Sequence, residues 1–97
     1  MAKFHLTNKA VEDLADIWDY TCEKWSENQA EKYYLLIINS CQQLAKNPDK
    51  GKKYIEIEND IYGYRSYQHL IFYRKISPKE IEIIRILHGK MDLKNKM

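Results

Sequence analysis

The chain has 97 residues, 44% of them hydrophobic and 31% charged, with three Gly and two Pro. These values predict a single globular domain, residues 1–97, and exclude a low-complexity chain. Since no apolar run approaches about 20 residues and no leader-like segment opens the chain, we expect a cytoplasmic protein without a membrane span. Residues 1–45 hold four Lys/Arg and seven Asp/Glu, whereas residues 61–97 hold eight and three. The second half therefore suits an acidic or anionic partner.

A short strand and two helices are predicted in the first half of the chain. Lys3–Leu6 alternates polar and apolar residues, which is typical of a strand. Thr7 or Asn8 can cap a first helix that ends near Lys24 or Trp25. Apolar residues then recur every three or four positions, and we expect this stripe to be buried. It comprises Val11, Leu14, Ala15, Trp18, Cys22 and Trp25.

The second helix is expected to fold back on the first. Ser26 and Gln29 form a capping-box pattern, and Pro48 stops the helix. The short connection predicts an antiparallel helical hairpin. Its two cysteines, Cys22 and Cys41, would be offset by roughly 15 Å along the hairpin, so we expect free thiols. The apolar face comprises Ala30, Tyr33, Tyr34, Ile37, Ile38, Cys41, Leu44 and Ala45.

The second half of the chain contains three β-rich runs, residues 62–67, 69–76 and 81–88. Because the turns between them are too short for parallel crossovers, they predict an antiparallel meander. The last run is apolar on both faces, which predicts a central strand covered on one side by the helices and on the other by a partner or by residues 52–60. Within that connection, residues 54–57 are a short strand or one helical turn. The fold class is α+β: a short N-terminal strand and a helical hairpin packed on the meander.

Three polar residues of these runs suit chemistry. A guanidinium among apolar neighbours needs an anionic or carbonyl partner. Arg65 and Arg85 therefore either recognise a ligand or pair with an acid of the first helix, such as Asp16 or Asp19. His88 is a general acid or base, or a structural histidine. No phosphate loop or metal-ligand spacing is present, and we expect no metal and no cofactor.

Two groups of residues carry a family resemblance. The second group comprises residues 63–67, 69–74 and 86–93, and it is the more specific of the two. The first group is Leu6, Thr7, Ala10, Asp13, Leu14, Ile17, Tyr20, Thr21 and Trp25. Together they resemble the ParE toxins of the RelE/ParE superfamily, the toxin halves of bacterial type II toxin–antitoxin operons. The similarity spans residues 4–93, and the family's element order matches the order expected above.

The resemblance implies a toxin held in check by a cognate ParD-like antitoxin. ParE-type members poison DNA gyrase, whereas RelE-type members are ribosome-dependent mRNA endoribonucleases. The closing pattern Leu87-His88-x-x-Met91-Asp92 favours the ParE type. Gly89 follows His88 where some nucleases place a tyrosine, which argues against RNA cleavage. We expect gyrase inhibition by binding, with no catalytic residue. The alternative is a RelE-type endoribonuclease that uses Arg65, Arg85 and His88, and a third hypothesis is a non-toxic binding module.

Site residues follow from the gyrase hypothesis. The surface that faces gyrase would comprise Arg85, His88, Lys90 and Met91. The antitoxin would lay an acidic amphipathic segment across the helical hairpin and onto the sheet edge. Tyr20 and Tyr33 are the predicted antitoxin anchors. Direct contact with nucleic acid is expected only under the endoribonuclease alternative.

Overall fold

The computed structural model describes residues 2–55, 58 and 60–88. Two helices and five strands confirm the α+β fold class. The strands are β1 (Lys3–Leu6), β2 (Lys52–Lys53), β3 (Tyr62–Ser66), β4 (His69–Ser77) and β5 (Glu80–His88), and the helices are α1 (Asn8–Lys24) and α2 (Glu27–Lys46). A 3₁₀ turn, Pro48–Lys50, follows α2.

Both helices begin at the caps that the sequence predicts. Thr7 caps α1, and its hydroxyl accepts a hydrogen bond from the backbone N–H of Ala10 at 3.1 Å. Ser26 caps α2 in the same way, accepting from the N–H of Gln29 at 3.1 Å. These bonds satisfy N–H groups that have no partner inside the helix, so each helix has a defined start.

The sheet has the order β1-β5-β4-β3-β2. Strands β3 to β5 form the expected antiparallel meander, β2 adds to it, and β5 lies between two neighbours as predicted. Strand β1 pairs with β5 in parallel, which makes the sheet mixed. The two-residue strand β2 was not predicted. Of the run 54–57, Tyr54 lies outside any strand, and residues 56 and 57 lie outside the described residues.

Each face of the sheet has its own apolar cluster. The helical hairpin covers one face, where the buried residues are Ala10, Leu14, Ile37, Cys41, Leu44, Ala45, Ile71, Tyr73, Ile81, Ile83 and Ile86. On the other face, Ile61, Leu70, Phe72 and Leu87 are buried, with Tyr54 and Ile84 packed against them. Tyr54 of the connection and the neighbouring Ile61 therefore cover this face. The expectation that the connection would cover it is confirmed.

The predicted buried stripe of α1 is confirmed at Leu14 and wrong at Val11, Ala15 and Trp25. Ala10, Leu14 and Thr21 are buried, whereas Val11 is 51% and Trp25 74% exposed. The helix carries two adjacent apolar rows, and the sheet takes the row of Ala10, because α1 follows β1 directly and Thr7 fixes its rotation against β5. The other row is turned towards α2 and the solvent.

A buried tyrosine joins the turn after α2 to the sheet. The Tyr73 hydroxyl donates to the carbonyl oxygen of Pro48 at 2.6 Å and accepts from the N–H of Gly51 at 2.9 Å. Burial raises the pKa of Tyr73, so the phenol stays protonated and can donate. A Cβ on Gly51 would lie 2.2 Å from that hydroxyl, which explains why this position has no side chain.

Candidate docking surfaces

Arg85 is held by an acid of α1. In the pairing of β4 with β5, Phe72 lies opposite Arg85 and Tyr73 opposite Ile83, so Ile84 is the extra residue of a β-bulge. The Arg85 guanidinium donates from Nε and Nη2 to the two carboxylate oxygens of Asp13 at 2.8 and 2.9 Å. Both side chains are largely buried, and the hydrogen bonds that Arg85 donates to Asp13 raise the Arg85 pKa. This geometry is the bidentate pair that stabilises a desolvated guanidinium best.

Asp13 also takes part in the edge of the sheet. Strand β1 ends at Leu6, opposite Ile83, and α1 covers the β5 edge beyond that point. The Thr7 hydroxyl donates to the carbonyl of Ile84 at 2.8 Å, and the N–H of Ile86 donates to Asp13 Oδ2 at 2.9 Å. Side chains of the α1 start thus replace a neighbouring strand. A helix acid was expected to pair with Arg85, but the expected partners, Asp16 and Asp19, were wrong: both are exposed and lie farther along α1.

The structure does not bring Arg65 and Arg85 together. Arg65 is exposed on β3, where its Nη1 donates weakly to the carbonyl of Tyr67 at 3.4 Å. Strand β4 separates the two arginines, and they occupy different rows of the sheet: Arg65 lies opposite Leu70, and Arg85 lies opposite Phe72. Their guanidinium groups therefore serve different partners in the described part of the chain.

The end of the sheet collects several of the predicted residues. Ser66 of β3, His69 of β4 and His88 of β5 lie in one row at this end. Tyr67, in the turn with φ 58°, is 65% exposed beside Arg65. We call Arg65, Tyr67, His69 and His88 the sheet end. Only the backbone of His88 is described, and Lys90 and Met91 lie outside the described residues.

The helical hairpin presents a line of apolar residues to solvent. Val11, Trp18 and Trp25 are spaced by seven, about two helical turns, and Cys22 shares their side of α1. Tyr34 of α2 contacts Trp18 edge to face, with ring centroids 6.1 Å apart, and Leu35 follows it. These six residues form the outer seam. Val11, Trp25, Tyr34 and Leu35 are 51%, 74%, 41% and 56% exposed.

The predicted antitoxin anchors differ in what they offer a partner. Tyr20 is 61% exposed on α1. Tyr33 is half-buried, because it lies between the buried Ala30 and Ile37 on the inner side of α2. The more exposed Trp25 and Leu35 were missed as anchors. Trp25 was assigned to the buried stripe of the first helix, and Leu35 was in neither predicted stripe.

Carboxylates surround the outer seam. Glu12, Asp19 and Glu23 each directly follow a seam residue of α1, and Glu27 and Glu31 precede Tyr34 on α2; all five are exposed. Burial raises the pKa of the Cys22 thiol, and the negative charges of Glu27 and Asp19 raise it further. Two of the carboxylates are thus close enough to act on a seam atom. By contrast, burial alone raises the pKa of Cys41 to about 12.

Other kinds of site have no support within the described ranges. No group of three His, Cys, Asp or Glu side chains there could hold a metal ion. Neither described helix has the length and apolar content needed to cross a membrane. Both cysteines are free, as predicted.

Comparison with known proteins agrees with this architecture. The chain is 30% identical over 92 residues to Toxin ParE1 of Mycobacterium tuberculosis, covering 95% of this chain and 94% of that protein. It is 35% identical over 95 residues to Toxin ParE1 of Caulobacter vibrioides, with the same coverage. A solved structure described as the chromosomal ParDE TA system from P. aeruginosa has the same fold, with a TM-score of 0.75 at 22% identity over 93% of this chain and 98% of that chain. The family model for the ParE toxin of the type II toxin–antitoxin system parDE matches residues 4–93. The chain therefore belongs to the ParE toxin family of type II toxin–antitoxin systems.

Proposed function

We propose that the protein is a cytoplasmic toxin that inhibits DNA gyrase and that a cognate ParD-like antitoxin neutralises it. Family membership supports the toxin role, and the outer seam supports neutralisation by a protein partner. Large apolar side chains that lie together on a surface are typical of docking sites. Trp25, at 74% exposure, is the observation that carries the antitoxin part of the proposal.

The antitoxin would bind as an amphipathic segment that orders on the toxin. Its apolar residues would pack along the outer seam, and its acidic part would reach the basic second half of the chain. Tyr20 stays a proposed anchor because its ring is exposed. Tyr33 is also kept as a proposed anchor, although less of its surface is free. We add Trp25 and Leu35 to the proposed anchors. Aromatic anchors of this kind commonly dominate the free energy of binding.

Gyrase would be bound by the end of β5 and the segment that follows it. Arg85, His88, Lys90 and Met91 are the proposed contacts. Asp13 holds the guanidinium of Arg85, so Arg85 would also fix the position of this strand end. Arg65 and Tyr67 are exposed at the same end of the sheet, and we add them to the surface. Inhibition would follow from binding and would need no metal or cofactor.

The endoribonuclease alternative has different requirements. Attack by a 2′-hydroxyl needs a base, an acid and cations around the same phosphate. Arg65 and Arg85 lie on strands that β4 separates, and Arg85 is bound to Asp13. No observation on the described residues favours a catalytic arrangement over a binding one, so gyrase inhibition is the function that we propose.

A supercoiling assay with purified gyrase and relaxed plasmid tests the proposal. We expect excess toxin to stop supercoiling and equimolar antitoxin to restore it. The double variant Arg65→Ala/Tyr67→Ala should inhibit about tenfold less well, as expected for loss of interface anchors, while a Lys79→Ala control at the opposite end of β4 should inhibit normally. Full supercoiling with a folded toxin would reject the gyrase target.

A parallel reaction with ribosome-bound mRNA separates the alternatives. Intact mRNA supports the gyrase proposal. Cleavage that disappears in His88→Ala would support the endoribonuclease instead. Normal growth of cells that express the toxin without antitoxin would favour the non-toxic binding module over both.

A further inference from the structure

The outer seam has a mostly acidic rim, with two exposed lysines, Lys24 and Lys32, beside it. Val11 is followed by Glu12, Trp18 by Asp19, and Cys22 by Glu23, so a row of carboxylates runs beside the apolar row of α1. Glu27 and Glu31 continue the rim on α2, the latter one turn before Tyr34 and Leu35. All five are exposed, and Lys32 is the exposed cation that lies one turn from Leu35. The seam is therefore an exposed apolar strip with an acidic border.

None of these five carboxylates is in an ion pair in the ranges that the structure describes, although Glu12 lies close enough to Arg85 to help raise its pKa. The ion pairs found there use Asp13, Asp49, Glu58, Asp60 and Glu80, none of which belongs to the rim. Burial raises the pKa of the Cys22 thiol, and the charges of Glu27 and Asp19 raise it further, as expected for carboxylates that lie near the seam. An acidic antitoxin segment on the outer seam would bring like charges close together, which weakens binding.

A partner that fits the outer seam must combine two properties. An apolar stripe with helical spacing would match Val11, Trp18 and Trp25 along about four turns of α1. Cationic flanks would lie over the carboxylates, where each pair gains a modest free energy and wrong partners are rejected. Lys and Arg suit such flanks best, because their long stems can pack against apolar neighbours while the charge reaches the rim.

We propose that the antitoxin segment seated in the outer seam is an amphipathic helix with Lys or Arg on its flanks. This inference rests on the proposed neutralisation by an antitoxin and gives the charge of its segment at this site. The antitoxin would then carry its charges in two blocks. A basic helix lies on the helical hairpin, and an acidic part lies on the basic second half of the chain.

Two synthetic helical peptides test the inference on the full chain. They share one apolar face with i, i+3, i+4, i+7 spacing and carry either Lys or Glu on both flanks. Anisotropy of the labelled peptides measures their affinity. The Lys peptide should bind about tenfold tighter at low salt, as expected for several surface ion pairs acting together. The difference should shrink in 1 M salt, where the screening length is about 3 Å.

Matched variants show whether the rim is responsible. Asp19→Asn/Glu23→Gln should remove most of the preference for the Lys peptide. Asp60→Asn, which removes an exposed acid outside the helical hairpin, should keep it. Trp25→Ala should weaken both peptides alike. Urea unfolding of each variant checks that the fold is intact.

The inference is overturned if the Glu peptide binds as well as the Lys peptide, if the rim variant keeps the preference, or if neither peptide binds. The proposed function fails separately. If the purified cognate antitoxin does not restore supercoiling while the Lys peptide still binds to the seam, the neutralisation proposal is wrong. The preference of the outer seam for a basic helix is then still supported. If the antitoxin neutralises the toxin but the Glu peptide binds better, only the inference is lost.

Discussion

The two long sides of the helical hairpin are made from similar residues but have opposite surroundings. The inner side packs Leu14, Ile37 and Leu44 against the sheet, and these residues are 7%, 2% and 0% exposed. The outer seam carries Trp25 and Leu35, which are more than half exposed. Burial on the inner side stabilises the fold, whereas the outer side has apolar surface still to bury. An apolar row with the helical period therefore serves folding when it faces the sheet and docking when it faces the solvent.

The largest effect is expected from shortening an inner side chain. Leu44→Ala should lower the free energy of unfolding by about 2–5 kcal/mol, because it leaves a cavity in a closed core. Leu35→Ala, the same change on the outer seam, should alter it by less than about 0.5 kcal/mol. Urea unfolding of both variants measures the comparison. Equal losses would mean that the outer seam is part of the core.

A second test breaks the ion pair that fixes α1 against β5. Asp13→Ala should cost about 3 kcal/mol, because it leaves a buried guanidinium and the N–H of Ile86 without their carboxylate. Asp16→Ala, which removes an exposed acid of the same helix, should change stability by less than about 0.5 kcal/mol. Chemical denaturation at neutral pH distinguishes them. A small effect of Asp13→Ala would show that the pair does not hold the helix to the sheet.

Removing one hydroxyl tests whether a buried tyrosine, Tyr73, contributes more to stability than Tyr34 of the outer seam. Tyr73→Phe loses the hydrogen bonds to Pro48 and Gly51 and leaves those buried backbone groups unsatisfied. We expect a loss of about 1–3 kcal/mol. Tyr34→Phe on the outer seam should be nearly neutral, since water can reach that hydroxyl. If thermal unfolding gives the same midpoint for both, the Tyr73 hydroxyl does not anchor the turn.

The smallest effect concerns the two thiols. Cys41 is buried and its pKa is raised to about 12, whereas Cys22 is partly accessible on the outer seam. Because the unfolded thiol would ionise near pH 9 and the native Cys41 would not, its contribution to stability is present below pH 9 and declines as pH rises above it. In native protein, iodoacetamide should modify Cys22 and spare Cys41, as read by mass spectrometry. Equal labelling would contradict the assignment of Cys41 to the core.

Local features of the fold were predictable from the sequence. The caps Thr7 and Ser26 depend on a few neighbouring residues, and both were identified. The meander followed from short turns. The parallel pairing of β1 with β5 could not be read in this way, because it joins residues about 77 positions apart and depends on the whole sheet.

The candidate surfaces were less predictable. Periodicity gives the spacing of an apolar row but not its rotation, so Val11 and Trp25 were assigned to the core. An acid of α1 was expected to pair with Arg85, yet the bulge at Ile84 directs the guanidinium to Asp13. The direction of the Arg85 side chain depends on the register of β4 and β5, which no local sequence pattern specifies. The predicted roles of Arg85, His88, Lys90 and Met91 towards gyrase stay predictions.

The most direct test of the account is the affinity of the purified cognate antitoxin for a toxin that lacks its outer anchors. Trp25→Ala/Leu35→Ala should weaken the complex by at least about tenfold, as expected for the loss of interface anchors. The free energy of unfolding of the toxin alone should stay unchanged. Unchanged affinity, or a toxin that no longer folds, would contradict the claim that the outer seam is a docking surface while the inner side holds the fold.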